Sequence, residues 1–434
     1  MATALMGFAS HAQKNMIQSG PMVGYSDMKE VAIWLQTQKP TKVKIKYWET
    51  ANPKNVFETA EQITTTEDGL TAHLIANKVD EGRAYTYEVW VDGKKVNIPY
   101  ELSFQTQKLW AWRTDPPAFK LALGSCNYVA DSAYDRPGKP YGGDYQIFKS
   151  IRAKDPDLML WLGDNTYLRE ADWGTKTGIY YRYTHSRAIP ELQELLGATH
   201  HYAIWDDHDY GPNDADRSFV NKQLTYQAFQ DFWANPNYNA TGQGGITGTF
   251  VWNDAQFFLM DDRWFRTSNK RTTGAREMLG KAQIEWLIDA LKHSPATFKF
   301  IAIGNQVLSD LPLYENMATY AEERAALIKA ITDENISGVI FLTGDRHQTE
   351  LTQLNREGTY PLRDLTVSPL TSSANNKTKD EKNTLRVPDT YVGERNFAIL
   401  EFNGKRKERV VTIIIYDTLG KELWRKSILE SELK

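Results

Sequence analysis

The stretch LMLWLGDNTY at residues 158–167 joins five apolar residues directly to a polar turn. Continuous apolar runs of this length are typical of strands that are buried on both faces of a sheet. In α/β sheets, ligands bind beyond the carboxyl ends of the strands, which is where Asp164 and Tyr167 fall. The stretch therefore predicts an α/β fold with functional side chains at the ends of its strands.

Three other stretches have the same form, an apolar run that ends abruptly in polar residues: LALGSCNY at 121–128, AIWDDHD at 203–209 and VIFLTGDRH at 339–347. Adjacent buried carboxylates such as those of the DDHD run repel one another unless a cation offsets their charge. Cys126 is the only cysteine in the chain, so it cannot form an intramolecular disulfide. Thiolate, carboxylate and imidazole groups at several strand ends indicate a polynuclear metal centre.

The N-terminal part of the chain has the pattern of a small all-β domain. Residues 42–48 alternate strictly between polar and apolar, 30–36 and 85–91 are further strand candidates, and Asp92-Gly93 is a strong hairpin signal before 94–96. Short strands at this spacing favour a β-sandwich of immunoglobulin or fibronectin type. We place this domain at 19–112, and the Asp-Pro-Pro run at 115–117 marks its end.

The remaining segment, 117–434, alternates apolar runs with helical patterns, which predicts mixed sheets flanked by helices. Strands are expected at 119–123, 158–162, 203–205, 256–260, 298–303 and 339–342, helices at 144–152, 279–291 and 324–331, and a closing meander at 396–402, 409–416 and 422–426. Three polar stretches receive no element and are expected to be long loops: 168–199, 211–248 and 372–389.

Composition excludes few classes of protein. The net charge of −4 gives no electrostatic case for binding nucleic acid or an anionic membrane, and no apolar run reaches the roughly 20 residues of a transmembrane helix. The 13 Trp and 22 Tyr residues either line a cleft or fill a large core. Residues 1–18 have the features of a leader or a residual signal peptide, which favours a periplasmic or secreted protein. The oligomeric state is not predictable from these features.

The order of five motifs resembles the PhoD-like alkaline phosphatases and phosphodiesterases of the calcineurin-like metallophosphoesterase superfamily. These motifs are SCNY at 125–128, GDNTY at 163–167, WDDHD at 205–209, GNQV at 304–307 and GDRH at 344–347. The resemblance covers nearly the whole chain, because 20–110 is similar to the family's N-terminal β-sandwich and 278–287 to a helix signature of the family. It implies a metallophosphoesterase-type α/β sandwich behind the small β domain.

The resemblance also implies a metal centre of Fe³⁺ with one or two Ca²⁺ ions. Asp164 would bridge two metals, and Cys126 and Tyr167 would bind the iron, since thiolate and phenolate stabilise a highly charged cation. Asp207 and Asp345 stand where the superfamily often has Asn and His, which favours Ca²⁺ over Zn²⁺. Zn²⁺, Mn²⁺ or Mg²⁺ in the divalent site is the alternative. The remaining predicted ligands are Asn305, whose role is equally well structural, and His347.

Catalytic roles follow from the same resemblance. A metal-bound hydroxide would attack the phosphorus in line, and His208 would protonate the leaving oxygen. The alternative is a purely structural role, in which His208 only donates a hydrogen bond to a ligating carboxylate. Asp209 would orient His208 and stabilise its charge. The phosphate group would be bound by arginines: Arg346 in the metal motif, and Arg263 and Arg266 after the 256–260 strand.

These residues predict an enzyme that hydrolyses phosphate esters. The preferred prediction is a phosphomonoesterase with some phosphodiesterase activity. A phosphodiesterase or phospholipase D-like enzyme acting on polymers or lipids is the alternative. An open cleft lined by aromatic residues would favour the diester, and a crowded cleft with Arg266 and Arg346 on the phosphate would favour the monoester. The aromatic candidates are Trp173, Tyr180, Tyr181 and Tyr183. A different class of protein, a Ca²⁺-stabilised extracellular binding or adhesion protein without turnover, has no use for Cys126 and Tyr167 as ligands.

Overall fold

The computed structural model describes residues 16–434. Most of the predicted leader therefore lies outside the described residues. Its last two positions, Ile17 and Gln18, are the first residues of a strand, and the leader at 1–18 stays a prediction.

The N-terminal region is all-β, as predicted. Its strands are β1 (Ile17–Ser26), β2 (Val31–Thr37), β3 (Lys42–Glu49), β4 (Phe57–Glu58), β5 (Gln62–Ile63), β6 (Thr71–Ala76), β7 (Ala84–Val91), β8 (Lys94–Lys95) and β9 (Ser103–Gln105). The alternation of β3 buries Val43, Ile45 and Tyr47, and the predicted turn at Asp92-Gly93 joins β7 to β8.

Beyond residue 116, strands and helices alternate. The elements are β10 (Phe119–Gly124), α1 (Ile147–Ala153), β11 (Leu158–Leu162), α2 (Lys176–Arg187), α3 (Pro190–Ala198), β12 (His200–Ile204), α4 (Asp207–Tyr210), α5 (Lys222–Phe232), β13 (Gly248–Trp252), β14 (Ala255–Leu259), α6 (Lys281–His293), β15 (Phe298–Ala302), α7 (Ala321–Asp333), β16 (Val339–Thr343), β17 (Glu350–Arg356), β18 (Thr359–Thr366), β19 (Asn396–Asn403), β20 (Val410–Asp417) and β21 (Glu422–Leu429). Short 3-10 turns lie at Met317–Tyr320, Asn376–Asp380 and Glu430–Leu433.

Two large mixed sheets form the body of the molecule. One has the strand order β21-β20-β19-β10-β11-β12-β1-β2-β6, and the other β13-β14-β15-β16-β18-β17. Stacked and edge-on aromatic rings join their inner faces, with Tyr202 and Phe250 at 3.7 Å and Phe298 and Phe402 at 5.4 Å between centroids. The predicted α/β sandwich with a preceding all-β region is confirmed.

The first sheet also runs through the N-terminal region. Strand β1 pairs in parallel with β12 through Val23 and His200, so β1, β2 and β6 extend the first sheet. These three strands pack on the separate β3–β7 sheet, and Val23, Ile33 and Ile45 lie in their common core. The division at 19–112 and 117–434 stays a prediction, and a shared sheet spans it.

Two of the three expected loops contain helices. Stretch 168–199 holds α2 and α3, and 211–248 holds α5. The side chain of Thr175 caps α2 by accepting from Gly178, while Pro190 begins α3. The buried face of α2 includes Arg182 and Ser186, so polar residues obscure its apolar periodicity. Stretch 372–389 contains only the short turn at Asn376–Asp380.

Candidate metal centre

The predicted site residues follow the carboxyl ends of parallel strands from both sheets. Strands β10, β11 and β12 run in parallel register, and so do β14, β15 and β16. Cys126, Asp164, Asp345 and His347 all have positive φ angles, between 52° and 64°. Residues other than glycine rarely adopt this conformation, and such outliers are concentrated at functional sites. Tight turns therefore hold these four side chains at one edge of the sandwich.

The turn after β11 requires glycine at position 163. Its φ is 89°, and an added Cβ would lie 2.7 Å from the side chain of Asp206. A larger residue would push the β11 turn and the Asp206 segment apart.

A first cluster contains a thiol, a carboxylate and an imidazole. Ligand atoms of Cys126, Asp164 and His347 all lie within 4.8 Å of one another. The thiol of Cys126 donates to Asp164 Oδ2 at 3.6 Å and accepts from the hydroxyl of Ser368 at 3.1 Å. The phenol oxygen of Tyr167 lies 3.3 Å from His347 Nε2. The structure thus brings the three side chains predicted for the iron position, Cys126, Asp164 and Tyr167, together with His347, a further predicted ligand.

Two further clusters continue from the first. Asp164, Asp207 and His208 form the second, and Asp207, Asp214 and Glu315 form the third, each with ligand atoms within 4.8 Å. Asp164 belongs to the first two clusters and Asp207 to the last two. The geometry is that of adjacent cation positions joined by shared carboxylates, the arrangement that bridging ligands require.

The electrostatics of the clusters call for positive charge. Two carboxylates 4.8 Å apart repel by about 3 kcal/mol at an effective dielectric constant of about 20. Burial and the charge of Asp207 raise the pKa of Asp164 well above its usual value. Burial, Glu315 and Asp207 raise the pKa of Asp345 to about 7. The buried Oδ1 atom of Asp207 has no hydrogen-bond partner within residues 16–434.

The donor set fits metal ions of two kinds. The first cluster offers sulfur, nitrogen and phenol oxygen, which suit a transition metal. The third offers carboxylates alone, which suit a hard divalent cation. Burial lowers the pKa of His347, which favours the neutral imidazole that metal binding needs.

Cys126 has no features of an activated nucleophile. Burial, together with the charge of Asp345, raises the pKa of its thiol to about 11. Reactive cysteines have lowered pKa values in electropositive surroundings. A ligand role is therefore the better interpretation of this residue.

His208 stands at the second cluster. Its ring lies 4.2 Å from that of Tyr167, and its backbone N–H donates to Asp164 Oδ1 at 3.3 Å. Burial lowers the pKa of its imidazole. Its imidazole is one of the three possible ligand groups of the second cluster.

Asp209 does not have the predicted role of orienting His208. Its carboxylate instead accepts from the backbone N–H groups of Asn165, Thr166 and Asp206 at 3.0–3.2 Å. These bonds tie the turn after β11 to the start of α4. Asp209 therefore fixes the backbone that carries Asp164 and Asp207.

Asn305 is also placed differently from the prediction. Its Oδ1 atom accepts from Arg266 at 2.8 Å, and its Nδ2 atom donates to Asp206 Oδ2 at 3.0 Å. An amide oxygen bonded to a guanidinium is not free to bind a cation. Asn305 acts in this structure as a link between two charged residues.

Arg263 and Arg266 are fully buried, which contradicts their predicted contact with substrate. Arg263 donates to Asp206 at 2.6 Å and to both oxygens of Glu315 at 2.8 Å, and Arg266 lies 3.1 Å from Glu315. Although burial alone would raise it, these arginines hold the pKa of Glu315 at about 2. The pair keeps Glu315 ionised beside the third cluster.

Arg346 is buried like the other two predicted arginines, and within the described residues it has an unpaired donor, as Arg266 has at Nε. Its Nη2 atom donates to both oxygens of Glu381 at 2.8 Å, and its guanidinium lies 4.8 Å from the ring of Tyr314. The buried Nη1 atom has no partner within the described part of the chain. Glu381 thus fixes one side of the guanidinium, and the Nη1 donor on the other side is buried and unpaired within residues 16–434.

The aromatic residues suggested for the cleft lie mainly in the core. Tyr180 and Tyr183 are buried, Tyr180 donates to Asp231, and Trp173 packs against the same core. Tyr181 is 43% exposed, and its hydroxyl donates to Asp131. Because these aromatic side chains lie mainly in the core and Arg266 is bonded to Asn305 and Glu315, neither feature distinguishes a diester from a monoester.

Several site residues were not found from the sequence. They are Asp214, Glu315, Ser368, Tyr141 and Glu381. All five lie in loops or turns without a local motif, and all but Asp214 reach the site from more distant parts of the chain. Only the acidic side chain of Asp214, which follows the DDHD run closely, had a signal in its neighbourhood.

Comparison with known proteins gives two family matches. Residues 121–407 match the family model described as PhoD-like phosphatase, and residues 14–109 match one described as a domain of unknown function, DUF7800. Alkaline phosphatase D of Bacillus subtilis (strain 168) is 24% identical over 337 residues, which are 66% of this chain and 54% of that protein. The chain thus spans about half the length of this relative.

Two solved structures share the fold. The structure of PhoD superposes with a TM-score of 0.76 and 16% identity, covering 98% of this chain and 93% of that one. Purple acid phosphatase PPD1 from yellow lupin (Lupinus luteus) seeds gives a TM-score of 0.64 and 10% identity, covering 95% and 74%. Among the helices of residues 16–434, none is both long and apolar enough to cross a membrane.

Proposed function

Because its residues 121–407 match the family model, the chain belongs to the PhoD-like phosphatase family, and we propose that it is a metal-dependent hydrolase of phosphate esters. The observation that carries the proposal is the row of three ligand clusters joined by Asp164 and Asp207. Cations bound there would stabilise charge on the phosphoryl oxygens and activate water as the nucleophile. The first cluster would take Fe³⁺ and the oxygen-rich clusters one or two Ca²⁺ ions.

The protein's own residues would bind the phosphate and assist the leaving group. Arg346 has a buried Nη1 with no partner and a guanidinium fixed by Glu381, so it is prepared to donate to a phosphoryl oxygen. The imidazolium form of His208, held against Tyr167, would give its ring proton to the departing oxygen, and the charge of Asp207 favours this form against the effect of burial. Asp209 contributes by fixing the turn that carries Asp164.

We infer a phosphomonoesterase with some phosphodiesterase activity as the first reading, in a periplasmic or secreted protein. Arg263 and Arg266 are paired with Asp206 and Glu315, whereas Nη1 of Arg346, also a buried side chain, has no partner within residues 16–434. A single free arginine supports the monoester less strongly than a pair would, so the diester remains the competing substrate.

The test compares p-nitrophenyl phosphate with bis(p-nitrophenyl) phosphate, using protein of known metal content. We expect turnover that is lost on chelation, restored by added metal and abolished in Asp164→Asn. The control Asp92→Asn, in the distant β7–β8 turn, should keep wild-type rates. A large preference for the diester would reverse our order of substrates. Metal binding without turnover of either ester would favour the binding or adhesion protein.

A further inference from the structure

A surface at the other end of the sandwich joins two segments that are far apart in sequence. The linker at 108–115 packs on the 404–408 turn between β19 and β20. The backbone N–H of Arg406 donates to Asp115 at 3.1 Å, its side chain donates to the carbonyl of Thr114 at 3.1 Å, and its guanidinium lies 5.5 Å from the ring of Trp110. The two segments therefore present one continuous surface.

Large apolar side chains project from this surface. Trp112 is 93% exposed, at the tip of a turn closed by bonds from Arg113 and Thr114 to the carbonyl of Trp110. Its neighbour Leu109 is 41% exposed. A tryptophan this exposed leaves its whole indole in water, an arrangement that becomes favourable when a partner covers it.

The two segments that form this surface are rich in exposed basic residues. We call the surface the linker–turn patch, and define it by Lys108, Trp112, Arg113, Lys405, Arg406 and Lys407, all of which are exposed. Within residues 16–434, none of the five basic side chains forms a salt bridge. Two acidic residues, Asp115 and Glu408, lie in the same segments, so basic charge remains in excess. The net charge of −4 conceals this local excess.

We propose that the linker–turn patch docks the protein on an anionic lipid membrane surface. Tryptophan favours the headgroup region of a bilayer, where its ring is partly buried and its N–H stays hydrated. Clustered Lys and Arg are attracted by anionic lipids. A dissolved polyanion would bind best in a groove between basic residues. Trp112 instead stands at the tip of a turn, as insertion into a planar interface requires.

The location of the patch determines the orientation of the metal centre relative to the membrane. The patch adjoins Phe119 at the start of β10, which pairs with Phe402, whereas Cys126 follows the end of that strand. The six residues of β10, roughly 17 Å along the strand, separate Phe119 from the turn that holds Cys126. The metal centre would thus face away from the membrane and stay open to substrate from solution.

The experiment is co-sedimentation of the full chain with vesicles of phosphatidylcholine and phosphatidylglycerol at 7:3, and with phosphatidylcholine alone. We expect binding to the anionic vesicles, a blue shift of tryptophan emission and release by salt. Trp112→Ala should weaken binding and remove most of the shift. Lys405→Gln with Lys407→Gln should weaken binding about 25-fold, on the order of five-fold for each basic residue.

Matched controls are Leu419→Ala, another highly exposed apolar side chain (76%), and Lys54→Gln with Lys421→Gln. These should bind as the wild type does, and all variants should keep its thermal unfolding midpoint. Absence of binding, or binding that the patch variants do not weaken, would refute the proposal. So would capture by soluble polyphosphate that is as tight as vesicle binding and indifferent to Trp112→Ala. Activity on phosphate esters is measured separately, so the two proposals can fail independently.

Discussion

The Nε2 atom of His347 lies 3.3 Å from the phenol oxygen of Tyr167, while Nδ1 of the same ring lies 3.2 Å from the hydroxyl of Tyr141. A neutral imidazole carries a proton on one nitrogen only. If Nδ1–H donates to Tyr141, the lone pair of Nε2 faces the cluster that contains Tyr167, Cys126 and Asp164. Hydrogen bonds of this kind orient histidine ligands and fix their tautomer.

This arrangement leads to a spectroscopic prediction for Cys126 and Tyr167. Thiolate and phenolate bound to Fe³⁺ absorb visible light, so the purified protein should be coloured. Cys126→Ser should lose most of its iron, and Tyr167→Phe should shift or abolish the visible band, while both keep their calcium. Absorption spectra and elemental analysis check this.

Tyr128→Phe is the matched control for the Tyr167 variant. The ring of Tyr128 lies 5.0 Å from that of Tyr167, but its hydroxyl donates to Asp135. It should keep the iron and the colour. A colourless wild-type protein with full activity and no iron would contradict the iron assignment.

The third cluster allows cation binding to be separated from folding. Glu315→Gln removes a ligand and also leaves Arg263 and Arg266 without their carboxylate partner. Because it breaks a buried ion pair, we expect it to lower the free energy of unfolding by about 3–5 kcal/mol. Asp214→Asn removes a carboxylate of the same cluster from an exposed position and should change stability little.

Both variants should bind less calcium, measured by elemental analysis after dialysis against a defined free concentration. Urea unfolding then distinguishes them. Unchanged calcium content in Asp214→Asn and Glu315→Gln together would remove the third cluster as a cation site.

Arg346 and Glu381 form a pair in which one residue holds the other. Arg346→Ala should reduce kcat/KM by about 10- to 100-fold, since a charged hydrogen bond to phosphate contributes about 1.5–3 kcal/mol. Glu381→Gln keeps Arg346 in the protein and weakens only its support. It should therefore cause a smaller loss, seen mainly in KM.

Steady-state kinetics on the better of the two aryl esters measures both effects. Lys379→Gln, a change of charge in the neighbouring turn, is the control and should leave kcat and KM unchanged. A wild-type kcat/KM in Arg346→Ala would show that this arginine does not contact the phosphate.

Much of the sandwich follows from local pattern. The apolar run at 158–162 coincides with β11 because a strand buried on both faces needs no polar alternation. Helix α2 escapes the same reasoning, since its buried Arg182 is neutralised by Asp131 and Asp172 instead of being replaced by an apolar residue. The pairing of β1 with β12 joins residues far apart in sequence and has no local signal.

The candidate site likewise contains residues that local sequence pattern predicts and residues that it does not. Cys126, Asp164 and His347 each follow a strand directly, so position along the chain indicated position in space. Glu315 and Glu381 come from long loops, and only the folded chain brings them to Arg263 and Arg346. The buried arginines were misassigned because a sequence does not reveal that a carboxylate already occupies the guanidinium.

His200 and His201 carry a prediction about stability and pH. His201 accepts from Trp161 at 2.9 Å through Nδ1, and its Nε2 lies 3.2 Å from the carbonyl of Leu195. In His200 the nitrogens exchange roles, since Nε2 accepts from the backbone N–H of Gln105 at 3.1 Å and Nδ1–H donates to the carbonyl of Gly24 at 2.8 Å. Both imidazoles are fully paired in the neutral form. Burial lowers the pKa of His200 to about 4 and of His201 to about 3.

Because these folded-state pKa values lie below the unfolded value of about 6.5, the unfolded chain takes up protons first as the pH falls. The stabilisation is complete above pH 6.5 and declines towards pH 4, by about 2 kcal/mol for each histidine between pH 6.5 and 5. Urea unfolding at pH 7, 6 and 5 measures the slope of the free energy of unfolding against pH. His201→Asn keeps an acceptor for Trp161 but cannot titrate, so its slope should fall by about one proton. An identical slope in the variant would mean that His201 is already protonated in the folded protein.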